Sequence, residues 1–270
     1  MCETCGCDGD GATIHGREGT HTHVLPDGSK VTHSHGQASP EPDDAGRSHS
    51  HSHPQRESIR LEQRLLEKNE RLAERNRAFF LGRRLTSINL MSSPGSGKTS
   101  LLERTLREAT GKFAVLEGDQ ETNNDAARIR ATGVSVVQIN TGKGCHLEAD
   151  MVWHGVQELD PEPGTTLFIE NVGNLVCPAL FDLGERARVV LFSVTEGEDK
   201  PLKYPNMFRR AQLILLTKTD LLPYLDFRVA DAQGAIDRIA PDARVLQLST
   251  KSGDGLDAWY AWLEELQGPD

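Results

Sequence analysis

Large apolar side chains are sparse early in the chain and then recur in two rhythms. Residues 1–53 offer only Met1, Ile14, Val24, Leu25 and Val31. Such a segment cannot bury enough surface to offset the entropy of ordering it, so a disordered tail is expected. From Pro54 helix formers take over. Ile59, Leu66, Ala73 and Phe80 repeat every seven residues beside Leu65, Leu72 and Phe79, which puts them on one helical face. Residues 54–84 therefore read as an amphipathic helix and linker packed on the domain that follows. A coiled-coil arm, with about three heptads, is the alternative.

After residue 85 short apolar runs alternate with helical stretches. The expected strands are 85–91, 114–116, 134–139, 165–170, 189–194, 213–216 and 245–247. The expected helices are 98–109, 124–132, 146–158, 201–207, 227–240 and 256–266. This alternation predicts an α/β domain over 85–270, a mostly parallel sheet with helices on both faces. Ligands of such sheets sit at the carboxyl ends of the strands.

Charge and composition narrow the function. The chain has 270 residues, 30 Lys and Arg against 40 Asp and Glu, and a formal charge of −10. No basic face dominates, which argues against a general nucleic-acid binder. No apolar stretch approaches the roughly 20 residues of a membrane span, and the first residues carry no apolar signal segment. Five cysteines without an export signal favour metal ligands or redox thiols over structural disulfides. A cytoplasmic protein is expected.

The strongest motif is Ser92-Ser93-Pro94-Gly95-Ser96-Gly97-Lys98-Thr99, after a strand and opening a helix. It fits a P-loop except that Ser92 replaces the first glycine. Backbone N–H groups of Ser93 to Ser100 can wrap a phosphate, Lys98 reaches the β- and γ-phosphates, and Thr99 offers a hydroxyl to Mg²⁺. Leu215-Leu216-Thr217-Lys218-Thr219-Asp220, at a later strand end, resembles the guanine-specificity NKxD motif with Thr217 for Asn. Asp220 would meet the N1–H and N2–H₂ donors of guanine, which points to GTP. Lys218 would cover the base, and Ser249-Thr250-Lys251 looks like the loop that contacts guanine O6.

Hydrolysis needs acids near Mg²⁺. Glu170-Asn171-Val172-Gly173 resembles the DxxG motif with Glu for Asp, and Asp119 and Asp125 add two more carboxylates. Mg²⁺ keeps several waters, so each could act directly or through water. Asp119 and Glu170 are the favoured ligands with Thr99, and Asp125 falls in the switch region.

Two cysteine groups remain. Cys145-His146 follows one strand, and Cys177 lies seven residues after Glu170. Each cysteine alone reads as a buried structural thiol. Together, two thiolates and an imidazole form a borderline-soft set suited to Zn²⁺ or Ni²⁺. Asp150, four residues past His146, would complete the shell if both share a helical face, and His154 is a weaker candidate. At the amino terminus Cys2, Cys5 and Cys7 can wrap one metal, with a redox disulfide as the alternative. Eight of the ten histidines follow within residues 1–53, largely in alternation, a metal-binding composition.

Taken together, these residues resemble the nickel-inserting GTPases of [NiFe]-hydrogenase maturation, the HypB family. The likeness rests on the CxxCxC start, LLEKNERLAERNR at 65–77, SSPGSGKT, EGDQETNNDAARI at 117–129, TGKGCHL, ENVGNLVCP and the TKTD loop. The resemblance implies slow GTP hydrolysis with Mg²⁺, a dimer formed through the nucleotide face, and metal at the terminal cysteines and at the Cys-His/Cys site. It also implies work with a HypA-type zinc and nickel protein, the hydrogenase large-subunit precursor and, in some members, a proline-isomerase chaperone. A urease-type nickel GTPase would lack the CxxCxC start and the long helix. A mainly nickel-storing protein would make the tail the working part.

Overall fold

The computed structural model describes residues 21–24, 30–33, 54–119, 124–142 and 144–268. The chain divides into two units, Met1–Glu57 and Ser58–Asp270. In the first, β1 (His21–Val24) and β2 (Lys30–His33) pair antiparallel, with His21 opposite His33 and Thr22 opposite Thr32. The remainder of 1–53, including Cys2, Cys5 and Cys7, lies outside the described residues.

Strand and helix then alternate. After α1 (Pro54–Gly82) come β3 (Thr86–Ser92), α2 (Lys98–Glu108), β4 (Phe113–Asp119), α3 (Asn124–Arg130), β5 (Ser135–Asn140), α4 (Ala149–Leu159) and β6 (Thr166–Glu170). They are followed by α5 (Cys177–Leu180), β7 (Ala187–Ser193), α6 (Lys200–Lys203), α7 (Pro205–Arg209), β8 (Leu213–Thr217), a 3₁₀ turn over Thr219–Tyr224, α8 (Val229–Ile239), β9 (Arg244–Gln247) and α9 (Leu256–Gln267). Seven strands form one sheet in the order β5-β4-β6-β3-β7-β8-β9, and every pair is parallel.

The continuous apolar runs are explained by helices on both faces, because successive side chains point to opposite sides. In β7, Val189 and Leu191 join Leu101, Leu102 and Leu106 of α2 and Trp259 and Trp262 of α9. Val190 and Phe192 point the other way, to Met207 and Phe208 of α7 and Ile236 of α8. A third cluster sets Leu116 and Ile169 against Val152 and Val156 of α4 and Phe80 of α1. Since β4, β6 and β3 are consecutive parallel strands of the sheet, the loops after all three open at one end of it.

Three elements depart from expectation. The helix expected over 146–158 begins at Ala149, because Glu148 takes extended backbone angles at its N-cap; His146 therefore precedes the helix. The helix expected over 201–207 is two, since Pro205 cannot donate an intrahelical bond and starts a new one. On α1 the buried line is Asn69, Ala73, Asn76 and Phe80, while Leu65 is exposed. The asparagines earn burial by bonding backbone: Asn69 Nδ2 donates to Asp182 O at 2.7 Å and its Oδ1 accepts from Ala149 N–H at 2.9 Å. Asn76 Nδ2 reaches Ala149 O at 2.7 Å and Leu183 O at 3.0 Å.

Candidate functional site

A cavity of about 560 Å³ opens at that end of the sheet. Its floor is the loop from Pro94 to Ser100, and Gly173 and Lys218 close its sides. Gly95 and Gly97 have φ of 74° and 98°, a region where a side chain is strained; the loop can thus turn its N–H groups inward ahead of the α2 N-terminus. Gly173 is packed so closely that a Cβ there would lie 3.1 Å from Pro94 Cα. Lys98 Nζ donates to Ser92 Oγ at 3.1 Å. Ser100 Oγ lies 3.2 Å from an Arg128 guanidinium nitrogen.

Four carboxylates face the lysine: Glu117, Asp119, Asp125 and Glu170 all line the cavity. The Thr99 hydroxyl donates to Glu170 Oε1 at 2.7 Å, with Asp125 Oδ2 at 3.1 Å. Burial raises the Glu170 carboxyl, opposed by Lys98 and the Thr99 hydrogen bond. Burial also pushes Lys98 down, and the four carboxylates oppose it. Glu117, directly beside Glu170 in the sheet register, was not among the expected site residues. Its buried Oε2 and that of Glu170 have no hydrogen-bond partner. Burial, then Glu170 and Asp119, lifts Glu117 from 4.5 to about 8. Crowded, orphaned carboxylate oxygens beside a threonine hydroxyl are a hard-oxygen donor set that fits Mg²⁺.

The Glu117 shift has a measurable sign. Below pH 4.5 folded and unfolded chains both hold the proton; between 4.5 and about 8 only the folded chain does, so stability falls as pH rises through that window. Glu117→Gln removes this loss. In metal-free buffer its melting temperature should decline less than that of the wild type between pH 5 and 8. Parallel curves would refute the shift.

The residues expected to read the base stand beyond Lys218. Thr217, in place of the usual Asn, donates its hydroxyl to Ser96 O at 2.8 Å and so ties β8 to the P-loop. Lys218 adopts a left-handed φ of 60°. Asp220 Oδ1 accepts from Ser249 Oγ at 2.6 Å, and Ser249 Oγ accepts from Lys251 N–H at 3.1 Å and Ser252 N–H at 3.2 Å. The Thr250 carbonyl takes an Arg104 bond at 2.6 Å. Asp220 and residues 249–251 thus form one linked turn outside the cavity lining.

Sequence reasoning also missed Glu196, in the loop after β7. Its carboxylate accepts from Ser93 Oγ at 2.5 Å and Ser96 Oγ at 2.6 Å, and it pairs with Lys200. Burial would raise it, but the Lys200, Ser93 and Ser96 bonds hold it below the usual range. Ser93, expected at the nucleotide, is turned toward this anchor. The available signal was an acid three residues past a strand end.

On the α4 side the ligand atoms of Cys145, His146 and Cys177 lie within 4.8 Å of one another. Cys145 Sγ is 3.7 Å from His146 Nδ1, and neither cysteine is in a disulfide. The imidazole lies against Phe181, ring centroids 4.0 Å apart, and its buried Nε2 has no hydrogen-bond partner, with Glu148 Oε1 4.0 Å away. Burial lowers its pKa against the pull of Glu148, favouring the neutral ring that binds metals. Asn174, also missed, accepts from Val176 and Cys177 N–H at 2.7 and 3.2 Å and so sets the start of α5. Asp150 is not in this cluster. With α4 starting three residues late it faces Arg75 at 3.3 Å and His154 at 3.6 Å.

The model of the CobW/HypB/UreG nucleotide-binding domain matches residues 86–247. The hydrogenase maturation factor HypB of Azotobacter vinelandii is 59% identical over 213 residues, covering 78% of this chain and 70% of that protein. The crystal structure of HypB from Helicobacter pylori in complex with nickel is 40% identical, with a TM-score of 0.70 over 74% of this chain and 95% of that one. HypB from Archaeoglobus fulgidus is 38% identical, with a TM-score of 0.69 over 75% and 100%. A family match across the sheet, joined to a relative more than half identical, establishes that the chain belongs to the HypB hydrogenase-maturation GTPases of the CobW/HypB/UreG family.

Proposed function

We propose that the chain hydrolyses GTP with Mg²⁺ and uses its nucleotide state to hold and release Ni²⁺ at Cys145, His146 and Cys177. One observation carries this reading. The segment that begins at Glu170, against Thr99 of the P-loop, ends seven residues later at Cys177, within 4.8 Å of the other two ligands. Loops of this kind reorder when the γ-phosphate leaves. A shift of about an ångström there would spoil a metal–sulfur bond of about 2.3 Å. Asp119 and Glu170 would hold Mg²⁺ with Thr99, and Asp125 would report on it. Zn²⁺ is a second occupant that the donor set accepts.

The remaining roles follow from this cycle. Two subunits meeting through the nucleotide face would enclose the metal site, and hydrolysis would free nickel for a HypA-type protein or the hydrogenase precursor in the cytoplasm. Cys2, Cys5, Cys7 and the tail histidines would hold nickel in reserve, a role the opposition of His21 and His33 across the hairpin supports. Among the described residues no helix is long and apolar enough to cross a membrane.

The test is Ni²⁺ titration of the full chain carrying Cys2→Ser, Cys5→Ser and Cys7→Ser, loaded with a non-hydrolysable GTP analogue and then with GDP. The affinities should differ 5–150-fold, the usual range for real coupling. Cys145→Ala and Cys177→Ala should bind GTP but lose the nickel-dependent change in turnover. Equal affinities in the two states would sink the coupling.

A further inference from the structure

The nucleotide cavity and the thiolate cluster are bridged by a buried asparagine. Asn171 directly follows Glu170, lines the cavity and is 1% exposed. Its Oδ1 accepts from Leu147 N–H at 3.1 Å and from Val172 N–H at 3.0 Å. Leu147 is the neighbour of His146, and its side chain packs against the wall of the cavity. A Cβ on Gly118, itself a cavity residue, would come within 2.8 Å of Leu147 Cγ.

The other end of the same amide leads to the same imidazole. Asn171 Nδ2 donates to Asn89 Oδ1 at 3.4 Å, and Asn89 Nδ2 donates to Glu185 Oε1 at 3.3 Å. Glu185 Oε2 accepts from Leu183 N–H at 2.7 Å. Two residues earlier in that loop, Phe181 lies against the His146 ring. One route enters through the His146 backbone and the other through the ring that packs on it.

We propose that Asn171 is the positioning residue through which the phosphate end of the cavity sets the geometry of the Cys145, His146 and Cys177 site. This deepens the coupled reading above and rests on it. The physical reason is the cost of an orphan. Leu147 N–H is buried, and if Asn171 turns with Glu170 the amide must follow its acceptor or be left without one. The loop carrying Cys145 and His146 then moves with it. Asn171 reaches the cluster through Leu147 and through the Asn89–Glu185 chain.

The experiment uses the full chain with Cys2→Ser, Cys5→Ser and Cys7→Ser, so that Cys145 and Cys177 are its remaining thiols. The thiolate-to-Ni(II) charge-transfer band then reports this site, and histidine-bound nickel is silent there. Nickel is titrated at buffered free concentration, with the GTP analogue or GDP saturating. In the parent the two affinities should differ 5–150-fold. Asn171→Ala should bring the ratio to about twofold or less, below the roughly fivefold floor of that coupling range, while the band still forms. Should the alanine variant fail to fold, Asn171→Ser serves, since its shorter side chain keeps a hydroxyl near Val172 but does not reach Leu147. A ratio retained in these variants overturns the proposal. So does an equal loss of affinity in both states, the mark of a purely structural residue. A ratio of one in the parent sinks the coupled reading itself, a result separate from either.

Discussion

Lys98→Ala should lower GTP turnover by about 10²–10³-fold or more, the usual cost of losing one preorganised charge-stabilising group. Lys98 is the cation set among Glu170, Asp125, Asp119 and Glu117 at the mouth of the P-loop. Burial lowers its pKa and those carboxylates oppose the fall, and it stands in the lining of the cavity where phosphates would enter. Without it the four acids face a polyanionic substrate with Mg²⁺ alone between them. The loss should therefore appear in kcat as well as in affinity. Thr99→Ala supplies the contrast. It removes the hydroxyl that lies 2.7 Å from Glu170, so it should weaken Mg²⁺-dependent binding of GTP more than of GDP. Phosphate release at saturating GTP reads Lys98→Ala, and titration of GTP and GDP with and without Mg²⁺ reads Thr99→Ala. Hydrolysis unchanged in Lys98→Ala would remove the catalytic assignment.

The P-loop was legible in the sequence because its chemistry is local. A cradle of backbone N–H groups needs glycine at positive φ, and Gly95 and Gly97 stand there. The Cys-His/Cys cluster was legible for a different reason. Strand-end placement brings distant loops to one edge, so Cys145 and Cys177 could be paired without knowing any distance. Other partners are set only by tertiary register. Glu117 lay beyond the expected end of its strand, and its role comes from lying beside Glu170 in the β4–β6 ladder. Glu196 depends on Ser93, a residue 103 positions away. Asn69 and Asn76 look polar on a helix wheel, yet they are buried because their side-chain amides donate to backbone carbonyls of other segments. Asp150 failed through a boundary error alone. A helix starting at Ala149 instead of His146 leaves no common face for the two.

Asp220→Asn should invert the base preference, and the hydrogen bonds around Ser249 say why. Ser249 Oγ accepts from the N–H groups of Lys251 and Ser252, so its single proton goes to Asp220 Oδ1 at 2.6 Å. That leaves Oδ2 as the acceptor for guanine N1–H and N2–H₂. In the asparagine variant the Ser249 proton still demands an oxygen. The amide is therefore held with its oxygen toward Ser249 and its NH₂ toward the base, a donor facing donors. Losing a bond to a charged group costs about 1.5–3 kcal/mol, or one to two decades of affinity for GDP and GTP. Xanthine presents a carbonyl where guanine has its amino group, so the same NH₂ gains a partner and xanthine nucleotides should strengthen as guanine nucleotides weaken. Competition binding of GDP against XDP measures the reversal directly. Ser249→Ala in the same background is the internal check. With the hydroxyl gone nothing fixes the amide, and the xanthine advantage should shrink. A wild-type chain that binds ATP as well as GTP, or an Asp220→Asn chain that keeps its guanine preference, would show that this loop does not read the base.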